Sequence, residues 1–278
     1  MAQELHRIAV AVFPEVGDHA LPARNATALA EGRAFEWPTT LTREALAVDL
    51  PEADVAVLPR QGRRKRLLIC DMDSTLIGQE CIDELADYAG VKAEVSAITE
   101  RAMRGEIGFE GALRERVALL EGLPESVVDE CYAERIRLNA GARTLARTMA
   151  ASGAKTVIVS GGFTAFSARV AADAGFAHHR ANRLLFENGR FTGRVAAPIL
   201  GRDAKRAALM TFSDARPDTA IAIGDGANDL AMIEAAGIGV AFHAKPAVAA
   251  AALCAIERTD LTTALFFQGF REAEFVGD

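Results

Sequence analysis

The 278-residue sequence lacks the features that mark secreted, membrane-spanning and nucleic-acid-binding proteins. Its four cysteines form no C-x-x-C pair, which argues against a disulfide framework or a zinc site and favours a reducing cytosol. The N-terminus, MAQELHRIAVAVF, does not have the basic-then-apolar order of a signal peptide, and no run of about 18 apolar residues occurs. A net charge of −7 argues against a basic, nucleic-acid-binding face. We therefore expect a cytoplasmic protein that binds neither nucleic acid nor membrane.

The sequence does contain enough apolar residues for a sizeable core. Half of the residues are hydrophobic and a quarter are charged, which is typical of a globular chain and argues against wholesale disorder. The acidic balance does not exclude a small anionic ligand, because a single pocket can be positive inside an acidic protein. The composition leaves the oligomeric state open, with a homodimer among the alternatives.

Residues 1–62 differ from the rest and are predicted to form a small α+β appendage before a larger domain of residues 63–278. Strand-like runs occur at residues 8–13 and 54–58, with one weak helical stretch between them. Residues 60–66 then hold five basic residues in seven positions. Such a run is typical of a solvated linker, and a phosphate-binding patch is the alternative.

From residue 67 onward, short apolar runs alternate with helical stretches. The runs lie at Leu67–Cys70, 156–159, 220–223 and Ile238–Phe242, and Gly or Asp clusters follow the first three. This pattern predicts buried parallel strands in a doubly wound α/β sheet. Residues 183–192 also contain an Asn-Gly turn between two strand-like arms, which indicates a β-hairpin.

The stretch between the first two predicted strands is long and helical. Ile82, Leu85, Ala86 and Ala89 have the spacing of one helix face, and later segments behave similarly. A crossover between parallel strands needs only one helix, whereas this stretch holds several. We therefore predict a helical cap domain inserted at about residues 79–140.

Polar residues stand directly after three of the predicted strands. They are Asp71 and Asp73 after the first, Ser160 and Gly161 after the second, and Asp225, Asn228 and Asp229 after the third. Ligands of open α/β sheets bind beyond the carboxyl ends of the strands, and parallel neighbours bring these ends together. We therefore expect the three segments to line one pocket.

The residue types in this pocket indicate a metal and a phosphoryl group. The carboxylates of Asp71, Asp73, Asp225 and Asp229 would repel one another unless a hard cation held them ionised. Mg²⁺ fits best, since it takes few carboxylates and keeps room for a phosphate oxygen. Lys205 would supply the positive charge that phosphoryl transfer needs.

Each of these residues, taken alone, also has an ordinary structural explanation. Asp73 could cap a helix, Ser160 and Gly161 could form a turn, and Lys205 could lie on the surface. Likewise, Asp225 and Asp229 could belong to a loop with a helix cap. The combined interpretation is stronger because all four segments follow one another in order at strand ends.

The patterns D-x-D-x-T, S-G-G, a distant Lys and G-D-G-x-N-D resemble the four motifs of the haloacid dehalogenase-like phosphotransferase superfamily, over roughly residues 66–260. The resemblance implies a Rossmann-like core with an inserted cap. It also implies that Asp71 attacks phosphorus and becomes an aspartyl phosphate, while Asp73 acts as general acid and then general base. The carboxylates of Asp71 and Asp225 and the backbone carbonyl of Asp73 would hold Mg²⁺, with Asp229 nearby. The phosphoryl group would be held by Ser160, Gly161 and Lys205.

Within that superfamily, residues 71–80 and the cap segment around residues 102–117 resemble phosphoserine phosphatases. The resemblance implies that Glu80 takes the substrate ammonium and that Arg116 clamps its carboxylate. Met103 and Phe109 would close over the substrate, and Asn228 would lie near the phosphate. Without the resemblance, a surface ion pair with Glu115 or a neighbour would be the preferred explanation of Arg116.

The implied reaction is hydrolysis of O-phospho-L-serine to L-serine and phosphate, the last step of serine biosynthesis. One alternative is a phosphatase or phosphotransferase of the same superfamily that acts on another small phosphomonoester, or that passes the phosphoryl group of phosphoserine to homoserine. Another alternative is a non-catalytic regulator. The resemblance weakens over the first 60 residues, which could be a reduced form of the ACT-type regulatory domain that many bacterial relatives carry.

Overall fold

The computed structural model describes residues 6–277 and begins with a small antiparallel sheet. The elements of this N-terminal unit are β1 (Arg7–Val12), β2 (Thr27–Ala30), β3 (Ala34–Pro38), α1 (Arg43–Asp49) and β4 (Asp54–Pro59). The strand order in the sheet is β2-β3-β1-β4. The strands predicted near residues 8 and 54 are present. The β2–β3 hairpin was missed because its strands have only four and five residues, too few for a clear alternation of apolar and polar positions.

The N-terminal sheet is docked firmly against the rest of the chain. One face packs on α1 through Trp37 and Leu46, while Ile8 and Leu58 on the other face join the main core. The buried carboxylate of Asp54 also receives hydrogen bonds from the other unit. Its donors, at 2.6–3.2 Å, are the N–H groups of Glu257, Arg258 and Thr259 and the hydroxyl of Thr259.

The basic run at residues 60–66 joins β4 to the next strand, as the linker interpretation predicts, and most of it is exposed. Two of its side chains nevertheless fasten the linker to both units. Arg63 pairs with Glu36 of β3 at 2.6 Å. Arg64 donates to Glu274 at 2.8 Å and lies over the ring of Phe270. These basic groups therefore serve as interdomain contacts.

The predicted parallel sheet is present and has six strands. In the order β12-β11-β10-β5-β6-β7 they are Cys254–Ile256, Ile238–Phe242, Ala220–Gly224, Leu67–Cys70, Lys155–Phe163 and His178–Asn182. Every pair within it is parallel. Three of the four inner strands begin and end close to the predicted positions, whereas β6 continues four residues beyond the predicted end at residue 159. The two edge strands were missed because β12 has only three residues and β7 begins with exposed polar side chains.

Helices cover both faces of this sheet, as a doubly wound fold requires. They are α6 (Ala142–Ala151), α7 (Thr164–Ala174), α8 (Arg202–Phe212), α9 (Leu230–Ile233), α10 (Pro246–Ala251) and α11 (Thr263–Phe267). The predicted hairpin is formed by β8 (Leu184–Glu187) and β9 (Arg190–Val195). None of the helices within residues 6–277 is long and apolar enough to span a bilayer.

The helical insert predicted between the first two strands of the large sheet is also present. It contains α2 (Cys81–Tyr88), α3 (Lys92–Met103), α4 (Phe109–Ala118) and α5 (Val127–Arg135). The two connecting segments pair with each other through Ile77 and Leu138. The loop after α4 is held by the hairpin, because Gly122 N–H donates to the Phe191 carbonyl and Phe191 N–H donates to the Leu123 carbonyl, both at 2.9 Å. The insert is thus attached at its connections and at the hairpin.

Candidate active site

The strand β5 ends at Cys70, and the chain then turns sharply around Asp71. The Asp71 N–H still continues the sheet ladder by donating to Ile223 O at 2.9 Å, and its Oδ1 accepts from Met72 N–H at 2.7 Å. Leu76 N–H returns to the Met72 carbonyl at 2.8 Å, which closes the turn. Asp71 therefore lies at the carboxyl edge of the central sheet, where the strand pattern predicts it.

The first turn of α8 carries Lys205 into the same edge of the sheet. Its Nζ lies 2.7 Å from Asp71 Oδ2 and 2.5 Å from Asp229 Oδ1, and the lysine side chain is only 3% exposed. Burial alone would lower the pKa of Lys205, but the charges of Asp71 and Asp229 raise it above its usual value. The explanation of Lys205 as a surface residue is wrong.

The carboxylates around this lysine carry more negative charge than it can balance. Ligand oxygens of Asp71, Asp225 and Asp229 lie within 4.8 Å of one another. Burial, followed by repulsion from Asp229, raises the pKa of both Asp71 and Asp225 above their usual range. Thr75 supports this group by donating to Asp225 Oδ1 at 3.1 Å. A cluster of oxygen donors with excess negative charge is the chemistry that hard divalent cations prefer.

Glycines let the loop after β10 pack closely around these carboxylates. A Cβ on Gly224 would collide with the side chain of Asp229, and one on Gly226 would collide with that of Asn228. Gly226 N–H also donates to Asp229 Oδ2 at 3.1 Å. Asp229 precedes α9 but makes no side-chain cap to that helix, because its carboxylate is used by Lys205 and Gly226. The helix-cap explanation of Asp229 is therefore wrong.

The side chain of Asp73 points to a different wall of the cleft. Its Oδ1 accepts from Cys81 N–H at 2.9 Å, and its Oδ2 accepts from Ser160 Oγ at 3.1 Å. The first contact shows that Asp73 does interact with the beginning of α2, as the helix-cap alternative requires. The second contact ties it to the segment at the end of β6, so the carboxylate also faces the pocket.

Ser160 and Gly161 lie within the irregular last part of β6, which ends at Phe163, rather than in a turn beyond it. The pairing with β7 shifts between Val159 and Phe163, so this segment bulges toward the cleft. Gly162 N–H donates to Ser160 Oγ at 2.8 Å. The turn explanation is wrong for these residues. The helix α7 begins at Thr164, three residues after Gly161, so its N-terminus lies close to them along the chain.

Glu80 immediately precedes α2 and is exposed in the cleft beside Asp73. Its Oε1 accepts from the hydroxyl of Ser74 at 2.6 Å. The surrounding protein partly desolvates the carboxylate, and Asp73 and Asp225 repel it, so its pKa rises to about 7. A group that carries this much unfavourable negative charge would be stabilised by a cationic ligand.

Arg116 is half-buried on α4 and does not pair with Glu115, which binds Arg101 at 3.0 Å instead. Its Nη1 donates to Thr99 Oγ1 at 3.4 Å. Burial lowers the pKa of Arg116, and the nearby charges of Asp83 and Glu80 oppose this effect. The surface ion-pair explanation is therefore wrong with respect to Glu115.

The two apolar cap residues behave differently. Phe109 lies against the end of β6, since a Cβ on Gly161 would be 3.2 Å from its ring, and it also approaches Gly201. Met103, at the end of α3, is 70% exposed and is not packed over the cleft. Asn228 is half-buried in the loop after β10. The structure thus brings Phe109 to the pocket and leaves Met103 outside it.

Residues without a predicted role also support the site. Asp225 accepts a hydrogen bond from Thr75, and Asp73 accepts one from the backbone N–H of Cys81. Arg116 donates to Thr99. Thr75 belongs to the D-x-D-x-T pattern, so the sequence contained a signal for it. Cys81 acts through its backbone N–H, which no pattern of side chains can reveal.

Comparison with known proteins places the chain in a family. Residues 68–234 match the haloacid dehalogenase-like hydrolases. A phosphoserine phosphatase of Archaeoglobus fulgidus is 47% identical over 224 residues, which are 78% of this chain and 63% of that protein. The chain therefore spans less than two thirds of the length of that relative.

Other relatives are covered more completely. A phosphoserine phosphatase of Albidiferax ferrireducens is 48% identical over 200 residues, 69% of this chain and 84% of that one. The crystal structure of a probable phosphoserine phosphatase from Vibrio cholerae, unliganded, superposes with a TM-score of 0.79 and 32% identity over 98% of this chain and 88% of that chain. The chain belongs to the haloacid dehalogenase-like hydrolases and, within them, to the family of the phosphoserine phosphatases.

Proposed function

We propose that this protein is a phosphoric monoester hydrolase that converts O-phospho-L-serine to L-serine and phosphate, the last step of serine biosynthesis. The observation that carries the proposal is the arrangement of charge in one cleft. At one end Lys205 lies among carboxylates that include Asp71. At the other end stand Glu80 and Arg116, one acidic and one basic. With Mg²⁺ bound among these carboxylates, the first end would attract a phosphoryl group, and the second end has one charge for each ionic group of an amino acid.

Asp71 is the proposed nucleophile. Its carboxylate oxygen attacks phosphorus, the bond from phosphorus to the seryl oxygen breaks, and an aspartyl phosphate forms. Asp73 gives its proton to the leaving alkoxide, then takes a proton from the water that attacks the aspartyl phosphate. The bond from Asp71 to phosphorus breaks in this second step, which releases phosphate and restores the Asp71 carboxylate. Lys205 stabilises the negative charge on the phosphoryl oxygens in both steps. Ser160 and Gly161 orient the same group.

Mg²⁺ is the proposed cofactor, and the chain provides a suitable donor set for it. The excess carboxylate charge at Asp71, Asp225 and Asp229 fits a divalent cation. Asp71 and Asp225, with the backbone carbonyl of Asp73, would hold the ion, and Asp229 would support it from nearby. When bound, the ion neutralises charge between the carboxylates and the phosphoryl group, so that anionic Asp71 can approach an anionic substrate.

The amino-acid part of phosphoserine would be bound by residues on both sides of the cleft. Glu80 would pair with the substrate ammonium, and Arg116 would bind its carboxylate. Phe109 already lies against Gly161 and would exclude water from the phosphoryl group. Met103 would have to move inward to cover the substrate, since it is exposed. The remaining contact near the phosphate would come from Asn228.

The domain boundaries and the location are part of the same proposal. The appendage of residues 1–62 and the domain of residues 63–278, with its cap at about 79–140, are supported by the break between β4 and β5 and by the helices α2 to α5. Within its described residues 6–62 the appendage has one α-helix, with a segment without helix between β1 and β2, which is consistent with a reduced ACT-like unit. Four buried cysteines, free within the described part of the chain, support a cytoplasmic protein.

Phosphate release from a panel of phosphomonoesters, with and without Mg²⁺, tests the proposal. We expect O-phospho-L-serine to have the highest kcat/KM and chelation of Mg²⁺ to abolish turnover. Equal rates across the panel would show that the protein is a phosphatase without specificity for an amino-acid substrate. Release that requires an added acceptor alcohol such as homoserine would identify a phosphotransferase instead.

A further inference from the structure

Ser74 has a backbone conformation that serine rarely adopts. Its φ is +54°, in the left-handed region, and it lies directly after Asp73. An L-residue in this region is unfavourable unless the surrounding structure holds it there. Ser74 N–H donates to the Gln79 carbonyl at 3.3 Å, and Cys81 N–H donates to Asp73. The chain between residues 74 and 80 is thereby folded back on itself.

This folded segment brings the side chain of Ser74, near its beginning, next to that of Glu80 at its end. The hydroxyl of Ser74 donates to Glu80 Oε1 at 2.6 Å, a short hydrogen bond to an ionisable acceptor. A serine hydroxyl has one proton, so Ser74 cannot donate to Asp73 or to a phosphoryl oxygen at the same time. Glu80 Oε2 is left to receive a second donor from the cleft.

Glu80 needs such a restraint because its neighbours repel it. Partial burial, and then repulsion from the carboxylates of Asp73 and Asp225 when these are ionised, raises the pKa of Glu80, and its side chain is exposed and long enough to swing toward solvent. The hydrogen bond from Ser74 opposes that movement.

We infer that Ser74 is a positioning residue that holds Glu80 where its free carboxylate oxygen can receive the ammonium group of the substrate. This inference rests on the proposed function, because it assumes an amino-acid substrate. It assigns to Ser74 a role in substrate selection rather than in phosphoryl transfer. The D-x-D-x-T segment would then carry a specificity residue, Ser74, between Asp73 and Thr75.

The test measures discrimination between O-phospho-L-serine and 3-phosphooxypropanoate, the analogue that lacks only the amino group. Discrimination is the ratio of the two kcat/KM values. We expect Ser74→Ala to lower this ratio about ten-fold, mainly by raising KM for phosphoserine, as expected for loss of one hydrogen bond to a charged group. Ser74→Gly removes the hydroxyl and also the backbone strain, and should lower the ratio to the same extent.

A double-mutant cycle tests whether Ser74 acts through Glu80. If it does, adding Ser74→Ala to Glu80→Gln should change discrimination by less than about two-fold. A turn-forming role alone would make the Ala and Gly variants differ and would reduce kcat/KM equally for both substrates. Either a larger change in the double variant or this equal reduction would overturn the inference.

The same data distinguish this inference from the proposed function. If the unsubstituted protein does not prefer O-phospho-L-serine to 3-phosphooxypropanoate, the proposed function fails. If that preference exists and survives Ser74→Ala, the proposed function stands and the role of Ser74 is refuted.

Discussion

Lys205 and Asp71 form a buried ion pair, with 2.7 Å between Nζ and Oδ2. The same Nζ lies 2.5 Å from Asp229, and Asp225 is close to both carboxylates. One lysine therefore supplies the positive charge for a group of three acidic side chains. This imbalance is the physical basis for expecting a divalent cation at this edge of the sheet.

Replacement of Asp71 by Asn should abolish turnover, because an amide cannot form the aspartyl phosphate. We expect kcat to fall at least about 10³-fold. Phosphate release measures the loss, and thermal unfolding checks that the fold is intact. Asp214→Asn is a matched control, since Asp214 is an exposed aspartate paired only with Lys155 at the surface. Near-normal activity of Asp71→Asn would refute the nucleophile assignment.

Lys205→Met should destabilise the protein as well as inactivate it. The substitution leaves Asp71 and Asp229 buried without their cation, and breaking a buried pair in this way costs about 3–5 kcal/mol. Urea unfolding measures the free energy of unfolding. Because a divalent cation can replace part of the missing charge, Mg²⁺ should stabilise Lys205→Met more than the unsubstituted protein. A variant as stable as the parent in the absence of Mg²⁺ would contradict this account of the cluster.

Glu80→Gln and Arg116→Ala should affect phosphoserine far more than p-nitrophenyl phosphate, which has neither an ammonium nor a carboxylate group. We expect KM for phosphoserine to rise about 10- to 100-fold in each variant, the range for loss of a charge-assisted hydrogen bond. Steady-state kinetics on both substrates measure the difference. Arg114→Ala is the control, because Arg114 lies on the same helix and is exposed. Equal losses on both substrates would remove the case for amino-acid specificity.

The pKa of Glu80, raised to about 7 by partial burial and then by repulsion from Asp73, predicts a pH-dependent preference for phosphoserine. Below that pH the carboxyl group is protonated and neutral, so it cannot pair with an ammonium. The ratio of kcat/KM for phosphoserine to that for p-nitrophenyl phosphate should therefore fall as pH decreases through about 7. Mg²⁺ offsets the negative charge around Glu80 and should move the midpoint lower. Glu80→Gln should show no such step, and a parent profile that matches the variant would exclude Glu80 as its source.

Asp54→Ala should destabilise the whole protein, although Asp54 lies outside the catalytic segments. Its buried carboxylate accepts hydrogen bonds from the backbone of residues 257–259, and these donors would be left without a partner. We expect a loss of about 3 kcal/mol, since buried unsatisfied groups cost about 1–3 kcal/mol each. Glu52→Ala, an exposed site just before β4, is the control. A loss below about 0.5 kcal/mol would indicate that the appendage contributes little to stability.

Elements with strong local signals could be predicted from sequence, and elements with weak ones could not. The inner strands β5 and β10 are short runs of apolar residues with polar residues directly after them. Their positions and their parallel arrangement could therefore be predicted from the sequence. The edge strand β7 could not be predicted, because its first residues, His178 and His179, are polar and exposed and show no apolar pattern.

The same distinction applies within the site. The strand pattern was sufficient to predict Asp71 and Asp225 as one group, since the carboxyl ends of parallel strands meet at one edge. Lys205 lies on α8 rather than at a strand end, and the order of the motifs predicted it. The sequence was not sufficient to show that Phe109 reaches Gly161 while Met103 remains exposed. Both are apolar residues of one cap segment, and only the path of the chain between α3 and α4 separates them.

By itself, the sequence determined the chemistry available to this protein. Aspartates, a lysine and glycine-rich segments in a set order indicate a site for a phosphoryl group and a hard cation, which is the chemistry proposed above. Only the tertiary structure decided how these groups share charge: that Lys205 is buried between Asp71 and Asp229, and that Asp73 faces Ser160 instead. The physical reason is that burial and distance set electrostatic energies, and both depend on the packing of elements that are far apart in the chain.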